Sequence, residues 1–183
     1  MTRLTPLWQQ SIHGVPIIRD VFIETGTKAG DTLWEAKDLY PDCRSIEIDP
    51  QVYARCVERF IGCHNVQLYR NDSRKVLSWL LNTNRPTTFY LDAHCEGAPS
   101  TVNADTECPL LDELRIITAA PWRVRPLVLI DDMNMMHDDY WNDPATNHGL
   151  FTRDHWPTFE EIEGIMKDYQ YWQSPDGFVG AWV

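Results

Sequence analysis

A chain of 183 residues, 43% of them hydrophobic, has the length for one domain and enough apolar content to bury a core. Its formal net charge of −11 argues against broad binding to nucleic acid or to an anionic membrane, since both need clustered Lys and Arg. No apolar run is long enough to span a bilayer, the opening MTRLTPLWQQ lacks the apolar core of a leader, and the five cysteines form no CxxC pair, so the expected setting is the reducing cytoplasm.

After an N-terminal segment of about twenty residues, short apolar runs alternate with helix-like stretches. Val21–Glu24 reads as a strand and Asp31–Leu39 as a helix. Cys43–Asp49 is a second strand, and the following helix opens with Pro50 in its first turn. Val66–Asp72 is a third strand, with a helix from Ser73. Thr87–Ala93 is a fourth, with a helix beginning at Pro109. Pro126–Asp132 is a fifth, apolar until its last two residues. Residues 134–157 then show no clear period, which suggests a substrate or lid loop. A helix from Thr158 follows, with Thr158 and Glu161 spaced as a capping box. The end carries two strand-like pieces around Ser174-Pro175-Asp176-Gly177, which is hairpin chemistry.

Near-continuous apolar strands separated by helices predict an α/β fold. The expectation is one Rossmann-like domain over 1–183, a doubly wound, mostly parallel sheet ending in an antiparallel hairpin. In such sheets ligands bind beyond the carboxyl ends of the strands. Acidic residues stand at all five of these ends: Glu24, Glu47 with Asp49, Asp72, Asp92, and Asp131 with Asp132. Helix capping accounts for one or two of them singly. Five converging tips call for a cationic or hydroxyl-rich partner, because crowded carboxylates raise one another's pKa.

The stretch VFIETGTKAGDT spaces Gly26 and Gly30 four apart, with Glu24 two residues before the first glycine. This is not the GxGxxG phosphate turn, and an acid there is ill placed beside a pyrophosphate. It suits a cofactor with ribose and positive charge but no phosphate. Glu47, about twenty residues on, suits a pair of ribose hydroxyls. Asp92, Asp131 and Asp132 offer hard oxygen ligands to a divalent ion. A zinc site from His94, Cys95 and Cys108 matches no structural zinc spacing.

On these motifs, IETGTKAGDT, SIEID, NDS, YLDAH and LIDDM in order, the chain resembles the class I S-adenosylmethionine-dependent methyltransferases from about Val21 onward. Within that class it looks most like cation-dependent O-methyltransferases of the catechol and macrolide-sugar types. The resemblance implies S-adenosylmethionine bound by Glu24, Gly26, Thr27, Gly30, Thr32, Glu47, Ile48, Asp72, Ser73 and Asp92. It also implies Mg²⁺ or a similar ion on Asp92, Asp131 and Asp132. The catalytic residues would be Asp92 and, as base, His94. The chain departs from the catechol pattern in carrying Cys95 where those enzymes have a Lys, and in its short N-terminal segment. The expected partner is a small hydroxylated substrate, with a homodimer compatible and neither nucleic acid nor membrane involved. Three other readings stay open: a metal-independent methyltransferase with His94 as sole base, a non-catalytic binding or assembly domain, and a nicotinamide oxidoreductase, for which the glycine spacing is wrong.

Overall fold

The computed structural model describes residues 7–8, 10–94, 106–143 and 153–183. A two-stranded ribbon, β1 (Ser11–Ile12) and β2 (Val15–Pro16), precedes the sheet. Next come β3 (Val21–Thr25), α1 (Asp31–Ala36), β4 (Asp42–Glu47), α2 (Pro50–Arg59), β5 (Val66–Arg70), α3 (Ser73–Leu80) and β6 (Thr87–Leu91). The chain continues through α4 (Leu110–Ala119), β7 (Leu127–Ile130), α5 (Asp138–Asn142), α6 (Phe159–Ile165), β8 (Tyr171–Gln173) and β9 (Gly180–Trp182).

Seven strands form one sheet in the order β5-β4-β3-β6-β7-β9-β8. The pairs among β3 to β7 are parallel, and β9 runs antiparallel to both β7 and β8. The doubly wound sheet and terminal hairpin read from the sequence are therefore present.

Side chains alternate across the strands, and both faces are covered, which is why the strands read as unbroken apolar runs. Val21, Ile23, Phe89, Val128 and Ile130 pack in one core with Leu77, Leu114 and Ile162 of α3, α4 and α6. Phe22, Tyr90, Leu127 and Leu129 pack in the other with Leu33 of α1 and Cys56 of α2. The N-terminal segment closes this second face: Trp8 meets Phe22 and Tyr40 edge-on, and its indole N–H donates to Glu35.

Several elements are shorter than their sequence patterns. The strands stop at Thr25, Glu47, Arg70, Leu91 and Ile130, so Asp49, Asp72, Asp92, Asp131 and Asp132 stand in the loops just beyond them. Pro109 is the cap of α4 rather than its first residue. The capping box at α6 forms as read, with Thr158 Oγ1 accepting from the Glu161 N–H at 3.1 Å and Glu161 Oε2 accepting from the Thr158 N–H at 2.9 Å. Within the expected lid, Met133–Met136 is a 3₁₀ turn whose Met135 and Met136 are buried core, and α5 follows. No helix among the described residues is long and apolar enough to cross a membrane.

Candidate functional site

The strand order reverses between β3 and β6, and a cavity of about 260 Å³ opens beyond the carboxyl ends there. This is the topological switch point, where an open parallel sheet leaves a crevice between diverging loops. Gly26 and Lys28 from the β3 loop, Glu47 to Asp49 at β4, Asn71 to Arg74 at β5, and Asp92 to His94 at β6 line it.

The first turn is built for close approach. Gly26 sits at φ +81°, and a Cβ there would lie 2.2 Å from the carbonyl oxygen of Asp92. Its N–H donates to Ile46 O at 2.9 Å, tying the turn to β4. Glu47, at the tip of β4, accepts from the Lys28 N–H at 2.9 Å and the Asp49 N–H at 2.8 Å, one on each carboxylate oxygen. Each oxygen keeps lone-pair capacity for a further donor from the cavity. Asp49 caps α2 through the N–H groups of Gln51 and Val52. Asp72 caps α3 and also holds the Arg74 guanidinium at 2.6 Å, and that guanidinium keeps its carboxyl below the ordinary range.

Four residues expected on the cofactor do not line the cavity: Glu24, Thr27, Gly30 and Thr32. Glu24 is fully buried and accepts from the hydroxyl of Ser45, its register partner on β4. Burial raises its carboxyl well above the usual range against the Ser45 hydrogen bond, and Asp92 and Glu47 push it further. Thr27 Oγ1 meets the same serine at 2.6 Å. Gly30 serves packing, since a Cβ there would lie 2.8 Å from the Phe60 ring. Thr32 is half-buried on α1. Gly26, Glu47, Ile48, Asp72, Ser73 and Asp92 do come together around the cavity.

At the β6 and β7 tips the acids divide their work. Asp131 is buried, with Oδ2 accepting from Tyr90 Oη at 2.6 Å and Oδ1 from the Asp132 N–H at 2.9 Å. His94 lies between the other two, with Nδ1 3.3 Å from Asp92 Oδ1 and Nε2 3.0 Å from Asp132 Oδ2. Burial alone would lower the His94 pKa, but the Asp132 hydrogen bond and the charges of Asp92, Asp132 and Asp131 outweigh it and raise the value. With both nitrogens engaged, His94 is placed as the bridge between carboxylates rather than as an open base. Asp92, His94 and Asp132 each offer a ligand atom within 4.8 Å of the others, and Asp131 is not in that group. Trp156 lies against the His94 ring at 5.1 Å and Trp141 follows at 6.1 Å, so aromatic side chains wall this end. Cys95 lies outside the described residues, as do residues 144–152 of the expected lid.

Behind the edge stands Glu113 of α4, which none of the sequence motifs singles out. It is 1% exposed, and its Oε2 accepts from Thr25 Oγ1 at 3.3 Å. Burial pushes its carboxyl up to about 7, against the Ser73 and Thr25 hydroxyls. An acid inside the apolar stripe of PLLDELRII was the signal available for it.

No protein-family model matches this sequence, and no curated protein does. Solved structures do match. The S-adenosylhomocysteine-bound methyltransferase PaMTH1 of Podospora anserina aligns over 90% of this chain and 71% of its own, at TM-score 0.61 and 15% identity. An O-methyltransferase family protein from Burkholderia thailandensis gives 0.59 at 10% identity, covering 90% of this chain and 50% of that one. The fold is that of the S-adenosylmethionine-dependent methyltransferases. Spermidine synthase from Thermotoga maritima, an enzyme of another name, also aligns with this chain, at TM-score 0.54 and 12% identity, over 91% of this chain and 54% of that one. Identities this low carry the fold and leave the reaction to the site.

Proposed function

We propose that this protein is an S-adenosylmethionine-dependent methyltransferase acting on an oxygen of a small hydroxylated molecule. The observation that carries the reading is the switch-point cavity with Glu47 fixed at its β4 wall and Gly26 flush against the Asp92 backbone. The residues fit this cofactor. Glu47, Asp49, Asp72 and Asp92 line the cavity, which disfavours a pyrophosphate and favours hydroxyl and ammonium donors. Ile46, Ile48 and Val52 supply an apolar wall for a purine.

In this reading Glu47 accepts the two ribose hydroxyls while the Lys28 and Asp49 N–H groups hold its carboxylate still. Gly26 lets the backbone approach the cofactor closely. The cofactor supplies an electrophilic methyl group on a sulfonium. Asp92, His94 and Asp132 face the acceptor end and orient its hydroxyl, and a carboxylate of this group, Asp92 or Asp132, takes up its proton as the new C–O bond forms and the C–S bond breaks. A divalent ion here would lower the hydroxyl pKa. The residues implied for Mg²⁺ do not form one ligand set, however: Asp92 and Asp132 converge with His94, and Asp131, turned toward Tyr90, is not in that group.

Calorimetric titration with S-adenosylhomocysteine tests the reading. Binding on the order of micromolar is expected, as is common for sites with several fixed polar contacts. Glu47→Ala should weaken it about tenfold or more, since a hydrogen bond to a charged group is worth about 1.5–3 kcal/mol. No binding by the wild type, or equal binding by the variant, would contradict it.

A further inference from the structure

The β5 tip carries an acid, Asp72, on the cavity wall, but that acid is already engaged. Its Oδ1 accepts from the Arg74 N–H at 2.9 Å and from Arg74 Nε at 3.0 Å. Its Oδ2 accepts from Nη2 at 2.6 Å and from Nε at 3.2 Å. A carboxylate has about four lone-pair sites, and a forked guanidinium is a strong partner for them. The two side chains are 12% and 23% exposed, so water competes weakly for the pair, and Arg74 Nη1 also lies 3.9 Å from Asp112 Oδ2 on α4. Asn71 beside them accepts the Asp72 N–H on Oδ1 at 2.9 Å, which orients its amide and leaves the Nδ2 donors as the group it offers a ligand.

The strand order places this wall under one part of the cofactor. With the ribose on Glu47 and the homocysteine end at Gly26 and Asp92, the purine falls on the β5 side of the cavity, against Ile48 and Val52. A free carboxylate there would accept from the exocyclic amino group of adenine and repel a carbonyl oxygen in its place. We propose that Arg74 sets the base specificity of this site: by occupying Asp72 it removes the acceptor for that amino group, so the purine is held by its face and ring edge and its 6-position goes almost unread. Arg74 acts through Asp72 and is a positioning residue. The apolar wall does not tell an amino group from a carbonyl, and Asn71 offers donors, which suit a carbonyl at least as well. The role of Arg74 rests on the methyltransferase reading, which supplies the kind of ligand.

Calorimetric titration of the full chain with S-adenosylhomocysteine and with S-inosylhomocysteine, its hypoxanthine counterpart, tests this. The wild type should prefer the adenine form by no more than about threefold, the scale of a weak net hydrogen bond. Arg74→Ala leaves Asp72 without its guanidinium and should raise that preference by at least about fivefold, the scale of a new hydrogen bond to a charged group. Adding Asp72→Ser to Arg74→Ala, which keeps a cap for α3 without the carboxylate, should return the ratio to near its wild-type value. A general loosening of the β5 tip would not do so. A wild-type preference for adenine above about threefold, a rise below about fivefold in Arg74→Ala, or a ratio that Asp72→Ser leaves high would overturn the assignment. The wild-type comparison decides even where a variant fails to fold. If neither ligand binds the wild type, the methyltransferase reading fails and the role of Arg74 with it. If both bind and adenine is preferred beyond that limit, the role of Arg74 fails alone.

Discussion

At the scale of single residues, Gly26 and Gly62 make a controlled pair. Both have positive φ, +81° and +85°, but a Cβ at Gly62 meets nothing within 4 Å, whereas at Gly26 it strikes the Asp92 carbonyl. Gly62→Ala should therefore show only the backbone cost of a left-handed residue, about 1–2 kcal/mol. Gly26→Ala should add the displacement of the β6 loop, lowering the melting temperature further and removing S-adenosylhomocysteine binding. Differential scanning calorimetry with and without ligand checks this, and equal losses in the two variants would argue against a cradle at Gly26. The carboxylates show how far sequence goes at this scale. That Asp92, Asp131 and Asp132 stand at strand tips was legible, because apolar runs end in them. That Asp131 is spoken for by Tyr90, 41 residues earlier, was not, since it depends on which strands lie side by side. The same holds for Glu24, whose serine partner becomes visible only once β3 and β4 are in register.

At the scale of elements, Glu113 ties α4 to the end of β3 through Thr25, whose carbonyl accepts the Asp92 N–H at 3.1 Å. Its carboxyl is raised from an ordinary 4.5 to about 7 by burial, so the folded protein holds this proton more tightly than the unfolded chain. The stability from this group is complete below about pH 4.5, declines as pH rises toward about 7, and levels off above that. The span corresponds to about 3 kcal/mol. Glu113→Gln should remove this slope, so that the variant gains on the wild type between pH 5 and pH 8 in urea unfolding. A difference independent of pH would show that Glu113 does not titrate in this range. Element types were legible because strands covered on both faces leave unbroken Val, Ile, Leu and Phe runs. Their ends were less so: acids that cap helices look like strand continuations until hydrogen bonds are assigned, as at Asp49 and Asp72.

At the scale of the whole molecule, the order β5-β4-β3-β6-β7-β9-β8 decides where chemistry can happen. Reversal between β3 and β6 opens the crevice, and every parallel strand delivers its carboxyl end to that one edge. An acidic chain that concentrates carboxylates there suits a ligand able to meet them, and under the proposed function these are the ribose hydroxyls and ammonium group of the cofactor rather than phosphates. A crystal structure with S-adenosylhomocysteine bound tests this most directly. The account predicts both ribose hydroxyls within hydrogen-bonding distance of Glu47 and the homocysteine end beside Gly26 and Asp92. Ligand density away from that crevice, or a ribose that leaves Glu47 untouched, would contradict it.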